Sequence, residues 1–214
     1  FTANVSHELK TPLQSIIGCA ELLENGLVKP EDTRHFIESI HKEASRLVLL
    51  VEDVIRLSHL DEGVEMPREN VDLLDIAQEV AQSLQLAAQE RNVTIHVTGQ
   101  HGTFPGVRGL VWEIVQNLCS NAVKYNVPGG SVDVSVTQQD GRTVLRVADT
   151  GIGIPADQQS RVFERFYRVD KSHSRASGGT GLGLSIVKHA AQYHNAKLTL
   201  ESTPGKGTIV TCTF

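Results

Sequence analysis

The feature that most constrains this chain is a heptad spacing of apolar residues, which occurs twice in its N-terminal part. From Thr2 to about Asn25 the apolar positions step by four and three residues in turn, and Gly26 follows as a helix C-cap. A second run of the same spacing begins near Pro30, a residue that suits a first helical turn. The seam residues are Leu9, Leu13, Ile16, Ala20, Leu23 and Leu27, then Ile40, Ala44, Leu47, Val51 and Val54. Matching seams predict an all-α antiparallel helical hairpin.

Apolar residues outside the two seams widen the surface beyond what one partner helix covers. They are Val5, Ile17, Phe36, Val48, Leu50 and Ile55. Homodimerisation into a four-helix bundle would bury them, and this is the arrangement that we expect. The alternative is that the hairpin packs against the rest of its own chain.

The helical pattern ends in turn-forming residues between about Asp61 and Asn70, which indicates a linker over residues 63–70. It divides the chain into a unit at 1–62 and a second unit at 71–214. In the second unit the pattern predicts helices from about Leu74 to Arg91 and from Val111 to Tyr125, and a strand from Val93 to Val97. Further strands are expected around Val132, Val134 and Val136, Leu145 and Val147, Leu198 and Leu200, and Val210, Cys212 and Phe214. This mixture predicts a two-layer α/β sandwich.

Composition excludes several classes of protein. The net charge of -5 is spread along the chain, which argues against a nucleic-acid or lipid-surface partner. The aliphatic stretch from Leu47 to Val51 is too short to span a bilayer. The three cysteines are far apart and odd in number, so reduced thiols are expected. Because Phe1 opens the chain in mid-helix without methionine, we expect a piece of a longer protein.

Two glycine-rich segments lie in the second unit. Residues 149–155 have the pattern of a strand end followed by a glycine turn. Residues 178–183 lead directly into a helix-like run, and the N-terminus of a helix favours phosphate. Neither has the spacing of a P-loop or of a dinucleotide-binding βαβ unit. Asn117 and Asn121 share a helix face, and Lys124 follows one turn later. Amide oxygens suit Mg²⁺ and a lysine suits phosphate, although a tight turn and a solvated helix face remain alternatives.

The order of the motifs adds a resemblance. The chain carries His7-Glu-Leu-Lys-Thr-Pro12, then Asn117-x-x-x-Asn121-Ala-x-Lys-Tyr125, Asp149-x-Gly-x-Gly153, Phe163-Glu-Arg-Phe166 and Gly179-Thr-Gly-Leu-Gly183. In this order the motifs resemble the H, N, G1, F and G2 boxes of the bacterial two-component sensor histidine kinases. The resemblance spans nearly the whole chain. It implies the ATP-binding sandwich shared with gyrase and heat-shock chaperone ATPases.

The resemblance also implies roles for individual residues. Asp149 would accept the adenine amino group, and Asn121 chiefly and Asn117 secondarily would hold Mg²⁺. Lys124 and Tyr125 would line the nucleotide. A mobile lid would run from about Pro155 to Gly178, anchored at one end by Phe163 and Phe166, and its Arg168 would reach the γ-phosphate or else be a solvated arginine. The nucleotide and phosphate loops would be formed by Gly151, Gly153, Gly179, Thr180, Gly181, Leu182 and Gly183.

Asn117 occupies the position where the gyrase-like hydrolases carry a glutamate that activates water. An amide cannot take that proton, so slow ATP hydrolysis and a different nucleophile are expected. His7 would be that nucleophile: it lies off the seam, and Glu8 can accept a proton from one of its ring nitrogens. Pro12 is expected to loosen or bend the helix next to it. Thr11, one turn after His7, would orient a water for dephosphorylation of a partner.

The resemblance therefore implies a kinase core that uses ATP and Mg²⁺, phosphorylates His7 and passes the phosphoryl group to an aspartate of a response regulator. We expect a homodimer, no nucleic acid, and contact with a membrane only through segments that precede Phe1. The expected location is the cytoplasmic part of a bacterial inner-membrane sensor. The alternative function is a non-catalytic ATP-binding dimeric scaffold.

Overall fold

The computed structural model describes residues 2–61, 65–169 and 179–214. The helices are α1 (Thr2–Glu24), α2 (Thr33–Asp61), α3 (Leu73–Glu90), α4 (Arg108–Lys124) and α5 (Gly183–Tyr193), and a 3₁₀ turn at Pro30–Asp32 precedes α2. The strands are β1 (Glu69–Asp72), β2 (Thr94–Gly99), β3 (Thr103–Gly106), β4 (Ser131–Gln139), β5 (Arg142–Asp149), β6 (Lys197–Thr203) and β7 (Gly207–Thr213).

The helical hairpin predicted from the two seams is present, with α1 packed against α2. Gly26 ends α1 with a φ of 64°, the left-handed conformation expected of a C-cap glycine. The helix runs unbroken from Thr2 to Glu24, so Pro12 does not interrupt it. Across the described ranges, no helix has the length and apolarity needed to cross a membrane.

The second unit is the expected two-layer sandwich, built on a five-stranded sheet of order β2-β4-β5-β7-β6. Strand β2 pairs with β4 in parallel, and the remaining pairs are antiparallel. The alternating Val132, Val134 and Val136 are fully buried, as their period predicts. They join residues of α3, α4 and α5 in a single apolar core. Asp72 starts α3, because its Oδ1 accepts hydrogen bonds from the backbone N–H groups of Leu74 and Asp75.

One small sheet was not foreseen. Strands β1 and β3 pair antiparallel, and β1 begins at Glu69, inside the segment 63–70 that the sequence assigns to a linker. Residues 63 and 64 of that segment, and residue 62 before it, lie outside the described residues, and so does part of the predicted domain boundary. Asn195 has a φ of 54°, a left-handed turn conformation that asparagine adopts more readily than most residues.

The hairpin also packs on the sandwich. Leu50 and Leu57 of α2 are buried in a cluster with Leu182 and Ile186, and Leu9 and Phe166 pack against its edge. The prediction that Leu50 belongs to a free apolar face is therefore wrong, because the second unit of the same chain covers it. Of the other residues of that face, Ile17 is 47% exposed, Val48 56% and Ile55 50% within one chain. Val5 and Phe36 are half-buried.

Candidate functional site

Helix α1 presents His7 to solvent, with its side chain 80% exposed. Thr11 and Gln14, at i+4 and i+7, are exposed on the same face, whereas Pro12 is buried. Glu8 Oε1 lies 3.9 Å from His7 Nδ1. The Thr11 hydroxyl donates a hydrogen bond to the backbone carbonyl of His7 at 3.2 Å, which fixes the hydroxyl one turn from the imidazole and leaves its lone pairs open.

Helix α4 orients Asn117 towards the start of α5. Its Nδ2 donates to the Glu113 carbonyl at 2.9 Å, so Oδ1 is the free end of the amide. That oxygen points at Gly183, where a Cβ would come within 2.6 Å of it. In the described part of the chain no group hydrogen-bonds the side chain of Asn121. Two neutral oxygen donors on one helix face, next to a helix N-terminus, fit a hard cation that also carries phosphate.

Asp149 ends β5 with one carboxylate oxygen occupied. Its Oδ1 accepts hydrogen bonds from the backbone N–H groups of Gly151 (2.8 Å) and Thr208 (3.2 Å), so Oδ2 remains available to a donor on a ligand. Burial raises the pKa of Asp149, and these two bonds oppose the rise. Gly153 has a φ of 68° and touches the Thr203 carbonyl so closely that a Cβ would lie 2.2 Å from it.

Lys124, the last residue of α4, reaches the second glycine segment. Its Nζ would be 2.5 Å from a Cβ on Gly179, and it lies 5.2 Å from the centroid of the Tyr125 ring. Burial chiefly, together with the neighbouring charges of Arg168, Arg91 and Arg46, lowers the pKa of Lys124 to about 8. This concentration of positive charge suits an anionic ligand.

The segment at residues 155–169 folds back on the second glycine segment. The Phe166 N–H donates to the Gly181 carbonyl at 2.9 Å, and a Cβ on Gly181 would lie 3.3 Å from Arg168 Nε. Phe166 thus attaches this segment where the sequence expects an anchor. The rest of the proposed lid, residues 170–178, lies outside the described residues, and so does Gly178 at the start of the glycine cluster.

Polar contacts between α2 and the sandwich were missed by sequence reasoning. Thr180 donates from Oγ1 to Asp53 Oδ2 at 2.7 Å, and Arg56 Nη1 lies 2.5 Å from Glu113 Oε1. Farther along, Arg165 Nη2 donates to Asp61 at 2.6 Å. Burial raises the pKa values of Asp53 and Glu113. No sequence signal distinguishes these residues from an ordinary solvated helix face, because their partners are remote in the chain.

Two family models match the chain. Residues 1–63 match the His Kinase A (phospho-acceptor) domain, and residues 106–214 match the histidine kinase-, DNA gyrase B- and HSP90-like ATPase. A sensor-like histidine kinase, SenX3 of Mycolicibacterium smegmatis, is 41% identical over 99% of this chain and 56% of its own length. The sensor histidine kinase YkoH of Bacillus subtilis is 36% identical over the whole chain and 47% of its own length. The chain thus spans about half the length of the curated relatives it matches.

Solved structures share the arrangement of both units. The Acinetobacter baumannii histidine kinase AdeS superposes with a TM-score of 0.80 over 97% of this chain and 96% of its own, at 20% identity. Histidine kinase ThkA in complex with the response regulator TrrA superposes with a TM-score of 0.74 over the whole chain and 60% of the neighbour, also at 20% identity. At these identities the likeness establishes the fold.

Proposed function

The chain belongs to the sensor histidine kinases, and we propose that it is a kinase core that phosphorylates His7 from ATP and passes the phosphoryl group to an aspartate of a response regulator. One observation carries the proposal. An exposed imidazole with a carboxylate beside it and a phosphate-type glycine loop are held at the same end of the hairpin, because Leu9 packs in the cluster that includes Leu182.

Nucleotide binding is assigned to the pocket between α4 and the glycine segments. Asp149 would accept the adenine amino group through Oδ2, and Tyr125 and Lys124 would line the nucleotide. The nucleotide and phosphate loops would be formed by Gly151, Gly153, Gly179, Thr180, Gly181, Leu182 and Gly183. Lys124 and Arg168 would contact phosphate oxygens.

Magnesium would be held by the amide oxygens of Asn121 chiefly and of Asn117. The orientation of Asn117, with its nitrogen engaged by Glu113 and its oxygen free, supports this assignment. The ion supplies charge neutralisation of the phosphates when it is bound. Because no carboxylate occupies position 117, ATP would persist in this pocket until the imidazole reaches it.

His7 would attack through Nε2, because Nδ1 is the nitrogen that faces Glu8. Glu8 would take the Nδ1 proton, directly or through one water, as the new bond to phosphorus forms. The side chain is exposed enough to meet first the nucleotide and then a receiver aspartate.

The protein partners follow from the family and the exposed hairpin. We propose a homodimer joined through the open apolar face of α1 and α2, a response-regulator partner of the kind named in the ThkA complex, and Thr11-assisted dephosphorylation of that partner. As relatives are named sensors, we place this core on the cytoplasmic side of a bacterial inner-membrane protein.

The decisive experiment is incubation with γ-labelled ATP and Mg²⁺, followed by acid and base treatment of the labelled protein. We expect acid-labile, base-stable label that His7→Ala abolishes. A chain that binds ATP and acquires no label would instead be the non-catalytic scaffold.

A further inference from the structure

Arg46 lies on α2 with its side chain only 14% exposed. Its guanidinium is 3.7 Å from Glu43 Oε2, one turn earlier on the same helix, and 3.9 Å from Glu8 Oε2 on α1. Glu43 therefore anchors the guanidinium on α2, and the contact with Glu8 crosses the hairpin. Since little of this charge faces water, the attraction is screened less than in an open surface pair.

Glu8 stands between Arg46 and His7. One carboxylate oxygen, Oε1, lies 3.9 Å from His7 Nδ1, and the other, Oε2, faces Arg46. The half-buried Glu8 side chain has several rotamers, and the nearby guanidinium favours the one that keeps Oε1 beside the imidazole.

This row of side chains faces the ATP-binding unit. Leu9, next to Glu8, packs at the edge of the cluster that holds Leu182 of the second glycine segment. The charge of Arg46 is also felt at Lys124, where it contributes to the lowered pKa. Arg46 therefore lies where the phosphoacceptor helix and the nucleotide pocket meet.

We propose that Arg46 is a positioning residue for phosphoryl transfer, acting through Glu8. It holds the Glu8 carboxylate directed at His7 Nδ1. The Nδ1 proton passes to that carboxylate while the Nε2 lone pair bonds to the γ-phosphorus, and the bond from this phosphorus to the β,γ-bridging oxygen breaks, its electron pair leaving with ADP. The inference rests on the proposed function. The competing explanation is a purely structural clamp between α1 and α2.

The first test separates turnover from nucleotide binding. For Arg46→Gln we expect kcat of His7 labelling to fall about 10- to 100-fold, the range of a displaced general base, while KM for ATP changes less than about threefold. Arg46→Lys, which keeps the charge, should recover part of the loss. Arg34→Gln is the matched control, because Arg34 forms an exposed ion pair with Glu38 on the same helix, and its kcat should stay unchanged.

The second test is a double-mutant cycle with Glu8→Gln. If Arg46 acts through Glu8, Arg46→Gln should cost less than about twofold in the Glu8→Gln background. Independent, multiplicative losses would overturn the positioning role, and so would a wild-type kcat in Arg46→Gln.

A clamp would show itself differently. It predicts that Arg46→Gln lowers the melting temperature and leaves kcat and KM unchanged. Glu43→Gln, which removes the partner of Arg46 on its own helix, should then lower the melting temperature equally. Should Arg46→Gln fail to fold, Glu43→Gln decides, because it removes the anchor of Arg46 and an unchanged kcat in that variant contradicts the proposal. Absence of label in the wild type would overturn the proposed function itself, whereas a labelled wild type with a fully active Arg46→Gln overturns this inference alone.

Discussion

At the scale of single residues, the pocket depends on which end of each polar side chain is left free. Asp149 offers Oδ2 because two backbone N–H groups occupy Oδ1, and Asn117 offers Oδ1 because Glu113 occupies its nitrogen. Thr11 offers lone pairs because its proton is donated to the His7 carbonyl. In each case a local hydrogen bond, and not the residue type alone, determines what a ligand would meet.

Asp149→Asn should weaken ATP binding about 10- to 100-fold, because a charge-assisted acceptor becomes an amide that can present its donor to the adenine. Calorimetry with a non-hydrolysable ATP analogue measures the change. The matched control is Asp133→Asn, an exposed carboxylate on the neighbouring strand β4, which should bind as the wild type does. Equal affinity in both variants would remove Asp149 from the adenine site.

Lys124 should make ATP binding sensitive to pH between about 7 and 9. Its pKa is lowered to about 8, so it is mostly cationic at pH 7 and mostly neutral at pH 9, and phosphate favours the cation. Affinity should therefore fall as pH rises through this window. In the unliganded protein the sign is opposite: the unfolded chain holds more protons between about 8 and the ordinary lysine value, so this residue adds stability as pH rises.

Parallel titrations of Lys124→Met and of the exposed control Lys188→Met check the assignment. Lys124→Met should flatten the pH dependence of ATP affinity, and Lys188→Met should keep it. A slope that persists in Lys124→Met would belong to another group.

Thr11→Ala should retain His7 labelling and lose response-regulator phosphatase activity, by roughly 10- to 100-fold if the hydroxyl positions the attacking water. Both activities are measured on the cognate pair. Thr11→Ser keeps the hydroxyl and should keep most of the phosphatase rate. An undiminished rate in Thr11→Ala would make this threonine an ordinary surface residue.

At the scale of elements, helix α2 has one side that packs against the sandwich and one apolar side that is exposed. One side carries Leu50 and Leu57 into the cluster with Leu182 and Ile186 of the ATP-binding unit. The other keeps Val48 and Ile55, seven residues apart and therefore on one face, open to a further partner. Thr180 and Glu113 add polar contacts from the sandwich to the first side. One side of α2 thus forms the interface between the helical hairpin and the sandwich.

Leu57→Ala should weaken the packing of α2 against the sandwich. Leu57 is fully buried, and removing a buried leucine costs about 2–5 kcal/mol. Faster amide hydrogen exchange at the start of α5, around Leu182 and Ile186, is the expected signature. The same substitution at Leu86, which is 69% exposed on α3, should leave exchange at α5 unchanged. Equal amide protection at the start of α5 in Leu57→Ala and Leu86→Ala would contradict the contact between α2 and α5.

At the scale of the whole molecule, the apolar face left open on one chain supports the proposed homodimer. Val48→Asp combined with Ile55→Asp should convert a dimer into a monomer in analytical ultracentrifugation, because two buried charges without partners cannot be accommodated in a bundle core. Leu86→Asp, an equally apolar-to-acidic change on the sandwich, should leave the mass unchanged. A monomeric wild type at all concentrations would refute the bundle.

The sequence by itself determined the hairpin, the core of the sandwich and the order of the chemical motifs. These depend on local spacing: the heptads of α1 and α2, the alternation of Val132, Val134 and Val136, and glycines at fixed offsets. Each of these patterns is visible in residues that are close together in the sequence, so no knowledge of remote contacts is needed. The short β1 and β3 were beyond reach, because four-residue strands show no period.

Only the tertiary structure decided which partner each helix face meets. Leu50 and Val48 are equally apolar and two residues apart, yet the first is covered by the sandwich and the second is open. Arg46 and Asp53 look like solvated helix residues until Glu8 and Thr180 approach them from other parts of the chain. The physical reason is that docking of two separately patterned units depends on matching surfaces, and a local period cannot encode such a match.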